Sequence, residues 1–128
     1  EWSMYISEHY RSSGNRLRRL VLPRHRFAAM HAGAEGGEFT TPLLRVGGDH
    51  LVLNAATSAA GSLRAEVRDE HGAVVPGFSA ADCNEYFGDD LETTLGWTSA
   101  RLADLRGRVI SLRFTLRDAD LFALRFAE

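Results

Sequence analysis

Leu63, Ala65 and Val67 alternate with Arg64, Glu66 and Arg68. The same beat returns between Arg108 and Arg117, where Ile110, Leu112, Phe114 and Leu116 alternate with Val109, Ser111, Arg113 and Thr115. A period of two turns one face of an extended chain to a core and the other to water, which no helix accommodates. Asp69-Glu70-His71-Gly72 breaks the first run, and Gly72 can take the positive φ of a tight turn. Ala73-Val74-Val75 resumes it and Pro76-Gly77 ends it, so Ser62–Phe78 reads as a β-hairpin.

The remaining segments repeat this pattern. Trp2, Met4 and Ile6 alternate with Ser3, Tyr5 and Ser7, and Arg11–Asn15 is a turn. Arg16–Leu22, Phe27–Ala32, Glu38–Val46, His50–Ala56, Leu91–Trp97, Arg108–Arg117 and Leu121–Phe126 read as strands, with Pro42 marking an edge, bulge or break. Thr57–Gly61 and Asp118–Asp120 read as turns, and Ser79 as the cap of one helical turn. About ten short strands with turn signals every ~8–12 residues and little helix predict an all-β, antiparallel, jelly-roll-like β-sandwich.

A chain of 128 residues fits one domain whose core needs neither metal nor disulfide. The formal charge of −2 gives no footprint for nucleic acid or anionic lipid, and no apolar run approaches a membrane span. Arg16, Arg18, Arg19, Arg24, His25 and Arg26 read as a solvated strand face rather than a polyanion site. Cys83 is alone and reads as a structural thiol. The chain starts without Met and directly in strand-like sequence, as a fragment of a longer polypeptide would.

No nucleophile elbow, zinc-protease motif, P-loop or Cys/His metal spacing is present. Function is best sought in and beside the long irregular stretch Phe78–Asp90, where Tyr86, Phe87 and, just beyond, Trp97 lie among Asp82, Glu85, Asp89, Asp90 and Glu92. An aromatic ring beside carboxylates is how proteins hold sugars: the ring covers C–H faces and the acceptors take hydroxyls. Trp97 has two readings, a sugar platform or a plug at one end of the sandwich. His31, beside the glycine-rich Gly33–Gly37 loop, is the histidine best placed to shape a pocket. Asp118 and Asp120 could hold a structural calcium ion or simply make a turn.

The succession L-V-L-N-A-A-T-S-A-A-G-S-L-R-A-E-V-R-D-E-H-G-A-V-V-P-G-F-S, followed by D-C, F-G-D, a lone W, L-x-x-L-R-G-R-V-I-S-L-R-F and D-A-D-L-F-A, carries a resemblance. It resembles the C-terminal β-sandwich that follows a five-bladed β-propeller in bacterial proteins related to glycoside hydrolase families 32 and 43. These are framework motifs, and no catalytic residue carries over. The resemblance implies an accessory domain, secreted, periplasmic or on the cell surface, beside a catalytic propeller. Residues 1–15 would come from the propeller and its link, and 16–128 would form the sandwich. The expected function is therefore a non-catalytic carbohydrate-binding module, with Tyr86, Trp97, Asp82, Glu85, Asp89 and His31 at the sugar site and no cofactor. The rival is a structural accessory that packs on the propeller and binds no sugar.

Overall fold

The computed structural model describes residues 1–128 and is all-β, antiparallel and sandwich-like, as the alternation predicts. Eight strands are present: β1 (Trp2–Glu8), β2 (Arg16–Leu22), β3 (Met30–Ala32), β4 (Gly37–Thr40), β5 (Leu44–Arg45), β6 (His50–Asp69), β7 (Asp89–Leu95) and β8 (Val109–Ala127). One 3-10 turn, Leu102–Leu105, precedes β8. The strands are fewer than the turn signals imply because β6 and β8 run for 20 and 19 residues through both expected breaks.

Those two strands form the spine of a six-stranded sheet. β7 pairs with the first half of β6, while β3, β4 and β5 pair in succession along the other side of β8. The β6–β8 ladder runs from His50 opposite Ala127 to Thr57 opposite Ala119, then resumes with Ser62 opposite Arg117. Ser58–Gly61 therefore face Asp118, whose φ of 47° is left-handed. The expected turns at Thr57–Gly61 and Asp118–Asp120 are thus two sides of one corner rather than hairpin connections. Gly61 is required there, because a Cβ would lie 2.5 Å from the Asp118 carbonyl oxygen and 2.8 Å from that of Arg117.

Alternation fills the core from both sides of the corner. Leu51, Leu53, Ala55 and Leu121 come from one half of the sheet, and Leu63, Ala65, Val67, Ile110, Leu112 and Phe114 from the other, all in one apolar cluster. On the opposite face of the second half, Glu66 is buried between Arg68 at 2.6 Å and Arg113 at 3.5 Å, and Arg113 also meets Glu38. A buried carboxylate is tolerable in such a setting because two guanidinium groups compensate its lost hydration.

Arg16–Leu22, expected to open the sandwich, instead pairs with β1 in a separate two-stranded hairpin. Trp2, Met4, Ile6, Leu20 and Leu22 share one face of it. Trp2 packs on the linker residues His25 and Phe27, with ring centroids at 4.9 and 4.7 Å.

Candidate functional site

The Phe78–Trp97 stretch borders the free side of the second half of β6, and the ladder explains its shape. Alternate residues of a strand direct their N–H and C=O groups to the same side, and an open edge must be satisfied or covered. Leu63 exchanges both backbone bonds with Tyr86, at 2.9 and 3.0 Å. Val67 donates to the Phe78 carbonyl and accepts from the Val75 N–H, each at 2.9 Å, and the Asp69 N–H reaches the Ala73 carbonyl at 2.8 Å. Ala65, between them, has side-chain partners: its N–H reaches Cys83 Sγ at 3.4 Å, and its carbonyl accepts from Trp97 Nε1 at 3.1 Å. The loop acts in place of a missing strand. It also completes the Ser62–Phe78 hairpin, whose return arm makes one bridge, Arg68 with Val74.

This arrangement corrects the place given to Trp97. The side chain is 6% exposed, its N–H is spent on Ala65, and Phe78 meets it edge-on at 5.2 Å. No ring face remains for a sugar, and of the two readings the core plug is the one this geometry fits. Cys83 is likewise buried, and burial pushes its thiol above the ordinary range, away from the reactive thiolate.

The other expected site residues do not converge. Tyr86 is half-buried; its hydroxyl donates to Asp90 Oδ2 at 2.9 Å and lies 3.3 Å from the Ala55 carbonyl. Burial, then the hydrogen bond to Asp90, pushes the Tyr86 phenol up to about 12. Asp82 closes the local turn, accepting from the Ser79 hydroxyl at 2.7 Å, while the Ser79 hydroxyl accepts from the Asp82 N–H at 3.2 Å. That turn realises the capping expected of Ser79 without a helix. Glu85 pairs with Arg64 at 3.0 Å and Asp89 with Arg26 at 2.7 Å.

His31 is on β3, joined to Asp120 at 2.7 Å. Register places Asp89, Ala56, Asp120 and His31 in one row across β7, β6, β8 and β3. Three strand spacings put His31 ~14 Å from Asp89, too far to share a monosaccharide with the Tyr86 loop. Asp120 is held by His31, and no group of three or more His, Cys, Asp or Glu side chains has metal-binding geometry.

A concavity of about 570 Å³ lies elsewhere, between the linker at Arg24-His25 and the sheet surface around Val52, Asn54, Leu91, Ala123 and Arg125. Two sequence signals point to it: the Arg24-His25-Arg26 cluster, and Asn54 as the polar member of the apolar run L-V-L-N-A-A. Neither reveals a groove, because its walls come from four distant segments. Comparison with protein-family models, with curated proteins and with solved structures finds no match. No helix is long and apolar enough to cross a membrane.

Proposed function

We propose that the chain is a non-catalytic accessory β-sandwich that packs on a neighbouring folded domain through its N-terminal hairpin. The hairpin carries this reading. Trp2, Met4, Ile6 and Leu20 are exposed on one face, and β1 and β2 pair with nothing but each other. A two-stranded hairpin is marginal alone in water, and an apolar face with two open edges is suited to a partner. The resemblance implies that this neighbour is a propeller bearing the catalytic carboxylates, outside the cytoplasm. In the free chain, amides of β1 and β2 exchange with solvent faster than those of β6 and β8, and the chain self-associates as its concentration rises. Ile6→Glu suppresses that association and leaves sandwich unfolding unchanged. A monomer at every concentration, with hairpin amides as protected as those of β6 and β8, refutes the reading.

Phe87 favours a second reading, carbohydrate binding. It is 67% exposed in the loop between Glu85 and the start of β7 at Asp89-Asp90. The stacking role then passes from Trp97 to Phe87. Titration with a panel of polysaccharides tests it, and it is abandoned if none binds or if Phe87→Ala binds as the parent chain does.

A further inference from the structure

The linker turn above the groove is braced from within the sheet. The Arg26 N–H closes it on the Pro23 carbonyl at 3.2 Å. Asn54, buried in β6, donates from Nδ2 to the Arg24 carbonyl at 2.7 Å and accepts from Arg26 Nε at 2.9 Å. Arg26 is further fixed by Asp89 at 2.7 Å and by the Phe122 ring 4.6 Å away. His25 sits at a φ of 61°, left-handed backbone that a non-glycine residue keeps only when its surroundings impose it.

The charges beside the groove pair off unevenly. Glu92 is taken by Arg125 at 3.3 Å and Asp89 by Arg26. Arg24 lines the groove with no ion pair or hydrogen bond to its guanidinium, and the His25 imidazole has no hydrogen bond either. Val52, Leu91 and Ala123 add apolar surface beside them. A buried amide thus holds in place a turn that presents one unneutralised cation and one imidazole over a partly apolar trough. Such preorganisation lowers the cost of binding an anion, since little need be ordered when it arrives.

We propose that this groove binds a small organic anion, its carboxylate on Arg24 and His25 and its apolar flank on Val52, Leu91 and Ala123. A planar guanidinium matches a carboxylate bidentately. The carboxylate belongs to an acidic saccharide or to an acyl chain, and the two are separable by experiment. The site adjoins the hairpin, since Trp2 meets His25 edge-on at 4.9 Å, but its ligand contacts come from the linker and the sheet, so binding is tested on the chain by itself.

The test is a nitrogen-15 NMR titration of the chain with trigalacturonate, with octanoate, and with a neutral galactose trisaccharide. The expected result is saturable shifts at Arg24, His25, Leu91, Ala123 and the Asn54 side-chain amide with at least one anion, weakened by added salt. Arg24→Gln lowers that affinity about tenfold, the loss of one charge-assisted hydrogen bond. It does so without unfolding the chain, because the side chain has no internal partner. Response to trigalacturonate alone assigns an acidic glycan, to octanoate alone an acyl carboxylate, and to both a site that reads only charge and an apolar flank. No saturable shift with either anion, equal binding of the neutral sugar, or unchanged affinity in Arg24→Gln overturns the proposal.

Discussion

Replacing Trp97 by Phe separates a structural tryptophan from a binding one. The substitution keeps an aromatic ring against Phe78 but deletes the Nε1–H that serves the Ala65 carbonyl at 3.1 Å. Ala65 is fully buried, so water does not replace the lost donor without local opening. An orphaned buried acceptor costs about 1–3 kcal/mol. The smaller ring forfeits roughly another 1 kcal/mol of apolar burial. The sum, about 2–4 kcal/mol, corresponds to a fall in Tm of about 8–15 °C for a domain of this size. Urea denaturation followed by far-ultraviolet circular dichroism is the appropriate assay, with the midpoint lowered and the slope unchanged. Trp97→Ala should cost more, about 3–5 kcal/mol, because it also leaves a cavity. A loss below about 0.5 kcal/mol in Trp97→Phe, within the range of ordinary surface substitutions, would refute the edge-sealing argument.

Two further outcomes are expected. Gly61→Ala drives a methyl into the Asp118 and Arg117 carbonyls across the corner, so it destabilises by about 1–3 kcal/mol in the same urea assay, while Gly72→Ala, with open space around it but a φ of 84°, loses only the smaller backbone term. Tyr86 sets an alkaline limit: its folded phenol sits near 12 against 10 unfolded, so its contribution is fully present below pH 10 and drains away as pH rises toward 12. Tyr86→Phe should flatten that decline and remove the tyrosinate absorbance that develops near pH 12, and an unchanged alkaline profile would contradict the assignment.

The core of the fold was legible because burial and alternation coincide. Leu63, Ala65 and Val67 are paired with Leu116, Phe114 and Leu112, members of the two clearest period-two runs. Strand continuity was not legible. Thr57–Gly61 and Asp118–Asp120 have turn composition, and composition says only that the chain departs from regular geometry. Whether the departure closes a hairpin or bends a continuous ladder depends on a partner some sixty residues away. The same limit hid the function of Trp97 and Cys83, whose side chains stand in for backbone groups of a strand that is not there. It hid the groove as well, since Arg24, Asn54, Leu91 and Arg125 become neighbours only once β6, β7 and β8 are assembled.

The long ladder between β6 and β8 governs how the domain forms. Its nearest partners in sequence, Asp69 and Ile110, are 41 residues apart, and its farthest, His50 and Ala127, are 77 apart. Such high contact order places folding in the millisecond-to-second range, because loop-closure entropy is spent before any non-local contact repays it. Because the same two strands furnish both layers, neither layer is an autonomous folding unit. Amides on either side of the corner should therefore exchange through one global opening, while the hairpin frays separately. A destabilised corner would then release both layers together, so no half-folded sandwich accumulates.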